Sequence, residues 1–148
     1  MLACFLAFFL TQRLKHTPTA VQRFELTPRF SPAVPGPAAQ ERISFKLAQA
    51  DRVTVTIIDS AGDTVATLVR AWPVARYKQF SLRWNGRRGA PHGYTILHVP
   101  SHVLPGGLVS VLPDNRGSLA PAGEYRVRVS LRHQHRTVLS PRSFTLER

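Results

Sequence analysis

The sequence predicts an all-β body of two packed layers, and three observations carry that expectation. Apolar residues recur at every second position in several short stretches, whereas no segment holds them at sustained helical spacing. Valine and threonine, which favour strands, fill one of the clearest of those alternations, Val53-Thr-Val-Thr-Ile57. Aspartate, asparagine, proline and glycine cluster between the stretches at the intervals expected of a sandwich or small barrel. With 148 residues and 43% hydrophobic content, the chain can bury one domain core and leave a tail.

The tail comes first. Leu2-Ala-Cys-Phe-Leu-Ala-Phe-Phe-Leu10 is an unbroken apolar run that ends at Gln12, Arg13, Lys15 and His16. It falls short of the roughly 20 apolar residues that span a bilayer as a helix, and it lacks the basic start of a signal peptide. Residues 1–16 are therefore read as the helical end of a membrane anchor or signal segment whose true start lies upstream. That reading places the domain outside the cytoplasmic membrane, although Arg13 and Lys15 sit where the positive-inside tendency prefers the cytoplasm. Cys4 is the one cysteine, which excludes an internal disulfide and a cysteine-based zinc site.

Residues 17–40 form a Pro-rich linker and first edge strand. Prolines 18, 28, 32, 35 and 37 forbid helix there, and only Val21-Gln-Arg-Phe-Glu-Leu26 alternates, with Phe24 and Leu26 inward. Residues 41–148 are the sandwich. Ile43, Phe45 and Leu47 mark one inward face, and Val53, Val55 and Ile57 the next. Asp59-Ser-Ala-Gly62 has the aspartate and glycine of a tight hairpin turn, and the return strand runs from Thr64 to Val69 with Val65 inward. Ala71 to Arg76 is expected to be a loop broken by Pro73. Phe80, Leu82 and Trp84 form another core strand, closed by the turn signal Asn85-Gly86.

Residues 87–119 are irregular and are read as an insertion holding two small strands, Tyr94 to Val99 and Leu108 to Leu112, joined at Pro105-Gly-Gly. Asp114 to Gly117 and Ala120 to Gly123 each suit a type I turn. The strand that follows has the cleanest alternation in the chain. Tyr125, Val127, Val129 and Leu131 face one way; Arg126, Arg128, Ser130 and Arg132 face the other. A slip of one residue would push arginines into the core, so this strand should sit centrally in a fixed register. His133-Gln-His-Arg136 is a polar turn, and Thr137 to Leu139 with Ser143 to Leu146 supply the last strand, kinked at Pro141.

Four of these stretches in this order resemble the immunoglobulin-like domain of the bacterial flagellar hook-capping protein family, a module that recurs in secreted and envelope proteins. They are Ile43-Ser-Phe-Lys-Leu47, the Val53 to Ile57 strand with Asp59 and Gly62, Leu82-Arg-Trp-Asn-Gly86, and Pro121-Ala-Gly-Glu-Tyr-Arg-Val127. The resemblance covers residues 30–146. It implies an immunoglobulin-like β-sandwich of about seven strands, serving as scaffold or adhesive spacer with no cofactor and no active site. Two departures stand out. Asn85 occupies a position where the family usually has an acid, and the 87–119 segment replaces a short loop.

The residues themselves offer little chemistry. His133 and His135 lie two apart without a third ligand nearby in sequence, and no carboxylate punctuates the stretch from His92 through His98 to His102, so no metal site is expected. No Gly-x-Ser-x-Gly elbow and no glycine-rich phosphate loop leading into a helix occurs, and Asp59 and Asp114 are accounted for by turns. No catalytic residue and no cofactor is assigned. The formal charge of +12 suits anionic partners. Arg126, Arg128 and Arg132, joined by Arg83 across the sheet, would make a positive stripe able to hold phosphates or carboxylates. Without aromatic residues between those arginines, single-stranded nucleic acid is disfavoured. The expected function is thus a non-catalytic structural or interaction module of the bacterial cell envelope, tethered to the membrane by its N-terminal segment and binding another envelope protein or polymer. The alternative is a polyanion-binding protein, for nucleic acid or an acidic envelope polymer, that uses the arginine face.

Overall fold

The computed structural model describes residues 20–34, 36, 39–99, 102 and 108–147. The expectations for the apolar run at 1–16, for Cys4 and for the Pro105-Gly-Gly turn lie outside those residues, as do prolines 18, 35 and 37 of the linker.

Among the described residues, alternating apolar side chains build eleven strands: β1 (Val21–Leu26), β2 (Arg29–Phe30), β3 (Glu41–Leu47), β4 (Asp51–Asp59), β5 (Thr64–Val74), β6 (Gln79–Trp84), β7 (Pro91–Val99), β8 (Leu108–Asn115), β9 (Gly123–Leu131), β10 (Arg136–Leu139) and β11 (Phe144–Leu146). They form two sheets. The first has the order β1-β3-β6-β8-β7; the second has the order β2-β11-β9-β4-β5, with β10 also paired to β9. The β6–β8 and β2–β11 pairs are parallel and the others antiparallel. Taking β10 and β11 as one bent strand, β1, β3 and β6 face β10/β11, β9, β4 and β5, which is the A-B-E against G-F-C-C′ order of an immunoglobulin-type sandwich. The expected all-β sandwich is therefore the fold, with β2 and the β7–β8 hairpin added to its basic strands.

The inward residues are those that the alternation marks. Ile43, Phe45, Leu47, Val53, Val55, Ile57, Leu82, Trp84, Val127 and Val129 are fully buried, and Tyr125, Phe80 and Leu131 nearly so. Each such side chain contributes on the order of 1.5–3 kcal/mol against the conformational entropy lost on ordering the chain. Trp84 is the hub at one end of the core, with the rings of Phe30, Tyr125 and Phe144 at 5.6, 5.5 and 6.0 Å. Phe45 lies between Phe24 and Phe80 at the other, at 5.6 and 5.5 Å. Phe30 thus carries the end of the Pro-rich linker into the sandwich.

Turns lock the strands together. Asp59 Oδ1 accepts the N–H groups of Ala61 and Asp63, both at 3.0 Å, and closes the β4–β5 hairpin as expected. After Trp84 the chain turns on Gly86, whose φ of 82° strains any other residue and whose built Cβ would crowd Pro32 Cγ at 3.0 Å. The Trp84 indole N–H donates to the Arg87 carbonyl at 2.9 Å. The Tyr125 hydroxyl donates to the Pro121 carbonyl, a tyrosine corner at the start of β9.

Two expectations are corrected. Ala71 to Arg76 is not a loop up to Val74, because β5 runs through Pro73. The proline is tolerated because β5 is the edge of its sheet, and register shifts accommodate Ala71, whose φ is 50° and whose N–H is taken by the Thr54 hydroxyl at 3.1 Å. Asp114 to Gly117 is not a tight turn, since β8 continues to Asn115 and the Gly117 N–H bonds the Arg88 carbonyl at 3.1 Å. A Cβ at Gly117 would stand 2.2 Å from that oxygen, so glycine is needed for close approach. The two small strands expected within the 87–119 segment are present as β7 and β8, which pair over Pro91 to Asn115 and widen the first sheet.

Candidate interaction surfaces

The outer face of β9 carries the arginines as the alternation requires. Across β4, Arg126 stands opposite Ile58, Arg128 opposite Thr56, and Ser130 opposite Thr54. Arg126 and Arg132 are exposed. Arg128 is half-buried, its Nε donating to the Thr56 hydroxyl at 3.2 Å and its Nη2 to that of Thr64 at 2.6 Å. Its guanidinium is thereby laid across β4 toward β5 and serves the sheet as a cross-strand tie.

Arg83 does not join that stripe. It lies on β6, in the other sheet, opposite Arg42 of β3, with its Nε buried and without a hydrogen-bond partner. Two separate basic patches result, one on each outer face. Alternation assigns a side chain to the outside of its sheet but leaves open which of the two sheets it is.

The buried polar side chains are committed mostly to backbone. Asp51, at the start of β4, accepts the N–H groups of Arg52 and His133 at 2.7 Å each, and the N–H and side-chain amide of Gln134 at 3.1 and 3.0 Å. Burial alone would raise its pKa, but these bonds outweigh it and hold the carboxyl below the usual aspartate value. The turn holding His133 and His135 is therefore organised by an aspartate from a distant strand. Asn115 donates to the carbonyls of Thr67 and Gly89 at 3.1 and 2.8 Å and so ties β8 to β5. Ser140 accepts the Val127 N–H and donates to the Arg142 carbonyl, at 3.1 and 2.7 Å, at the bend between β10 and β11.

Glu41 is the exception. It shares the inward register of Ile43 and Phe45, is wholly buried opposite Trp84, and neither carboxyl oxygen makes a hydrogen bond. Burial pushes its pKa up to about 8, and the Thr27 N–H, engaged by the Arg42 carbonyl at 3.2 Å, opposes that only weakly. Sequence reasoning passed over Glu41, Asp51 and Asn115. Glu41 and Asp51 each left a signal, their matching parity with the core residues of β3 and β4.

His92, His102, His133 and His135 are exposed. Among the described residues no group of three or more histidine, cysteine, aspartate or glutamate side chains converges. A cleft on the open side between β1 and the β10–β11 bend, lined by Phe24, Glu25, Leu26, Pro28, Pro141, Arg142 and Ser143, brings together one carboxylate and one guanidinium.

The remaining surface feature is the absence of charge. From Gly89 to Pro113 the sequence contains no Asp, Glu, Lys or Arg, in a chain with a formal charge of +12. That stretch includes β7, where Tyr94, Ile96 and Leu97 are 41%, 53% and 55% exposed. No protein-family model, no curated protein and no solved structure matches the chain.

Proposed function

We propose that this protein is a non-catalytic structural or interaction module of the bacterial cell envelope, held at the membrane by its N-terminal apolar segment and displayed outside it. One observation carries the non-catalytic part. Asp51, Asn115 and Ser140, which a reactive site would aim at a cavity, are each bonded to the backbone of neighbouring strands and turns. Contact with a partner then falls to sheet edges, loops and outer faces. The hook-capping resemblance and the apolar run at residues 2–10 support the envelope assignment. The test is fractionation of cells producing the full chain. Retention in the membrane pellet after an alkaline carbonate wash, with the domain open to added protease in spheroplasts, is the expected result. Release by the wash or protection from protease would overturn the tether or the topology.

A second reading, binding of a polyanion such as an acidic envelope polymer, is favoured by the exposed Arg126 and Arg132 on one face. Retention on heparin that falls steeply with salt and is lost in R126S/R132S would favour it. Elution that ignores both salt and the double substitution would leave the scaffold reading alone.

A further inference from the structure

Every open sheet carries unpaired backbone at its edges, and proteins that stay monomeric guard those edges with charge, bulges, proline or short length. Four of the five edges among the described residues are guarded, β10 by its length of four residues and by Arg136. β1 carries Arg23, at a φ of 49°, and Glu25, with a register shift between Gln22 and Glu25. β5 carries Arg70 and Pro73 and several register shifts, and β2 is two residues long.

β7 is different. It ends the first sheet, spans nine residues and pairs with β8 without irregularity from Tyr94 to Val99. It carries no formal charge. Ile96 lies on the face of buried Val111 and is nonetheless 53% exposed, while Leu97, pointing the other way, is 55% exposed. Tyr94 still packs on the second sheet, its ring 5.2 Å from that of Trp72 on β5, but beyond it the strand overhangs, and at Ile96 and Leu97 both faces meet solvent. Among the described residues no strand pairs with its outer side.

We propose that β7 is a self-association edge, pairing antiparallel with β7 of a second copy so that two five-stranded sheets join into one across a two-fold axis. Charge selects this occupant. Two copies that each carry +12 repel one another wherever arginines approach, and the uncharged stretch from Gly89 to Pro113 lets them meet without that cost. An acidic partner would gain nothing at a neutral edge and would be drawn to the arginine faces. The strand is also complementary to itself. With the axis perpendicular to the sheet at Ile96, Ile96 meets its own copy and Leu97 meets Thr95, pairs of the kind that stabilise sheets. The pairing stands whether or not the arginine face takes a polyanion, and heparin retention reads that question separately.

Sedimentation equilibrium of the full chain in a density-matched mild detergent tests it. The expected result is a mass that rises with protein concentration to twice the chain mass, with self-association weakened at least about tenfold in I96K, which sets two like charges directly opposite each other, and weakened also in L97K, which sets them diagonally across the joined edge. Both side chains are more than half exposed, and circular dichroism confirms that the variants keep their strands. A wild-type chain that remains monomeric at the highest concentration overturns the proposal. So does a dimer that both lysine variants form as readily, which would assign association to another surface.

Discussion

Replacing Glu41 by glutamine should abolish a pH dependence of stability that the wild-type chain carries between about pH 5 and pH 8. The folded state holds the Glu41 proton up to about 8, whereas the unfolded chain releases it near 4.5. Across that interval the native state binds more protons than the unfolded state, so stability falls as pH rises and levels off only once the buried group itself ionises. At about 1.4 kcal/mol per pH unit, and allowing for partial titration at both ends, the loss between pH 5 and pH 8 comes to about 3–4 kcal/mol. Glutamine keeps the shape of the protonated acid without a titrating proton. Urea unfolding of both proteins over this range measures the effect, and subtracting one curve from the other cancels every other titrating group. The wild type should lose stability relative to E41Q as pH rises. Parallel curves would refute the reasoning and mean that the Glu41 carboxylate is solvated or paired in the native state.

Two more outcomes follow from single contacts. Y125F removes the hydroxyl bonded to the Pro121 carbonyl and leaves the ring against Trp84, so it should cost about 1–2 kcal/mol without changing the strand content, as read by thermal melts and far-ultraviolet dichroism. D51A leaves the 132–135 turn without its acceptor and should cost about 2–3 kcal/mol, with faster amide exchange at His133 and Gln134. Because the folded pKa of Asp51 is lowered from 3.8, its stabilisation is complete above that value and is lost as pH falls through the folded value, so the gap between wild type and D51A should close in acid.

Local chemistry made most of the strands legible. A side chain on a strand alternates sides whatever lies beyond it, so Tyr125, Val127, Val129 and Leu131 could be placed inward from the chain alone, and so could Ile43, Phe45, Leu82 and Trp84. The Asp59 hairpin and the Asn85-Gly86 turn were equally plain, because those residues act on backbone a few positions away. Pro73 misled for the same reason. As a local signal it breaks strands, but at an edge the missing N–H faces no partner.

The candidate surfaces were less legible. The sequence alone determined which side of its own strand each residue occupies, and with it the arginine face of β9 and the uncharged run from Gly89 to Pro113. Only the tertiary structure decided which sheet each strand joins, and therefore that Arg83 lies on the opposite outer face from Arg126, that β7 overhangs with Ile96 in solvent, and that Glu41 is sealed beside Trp84. Strand parity is a covalent property of the chain, whereas layer, edge and depth depend on contacts between residues far apart in sequence.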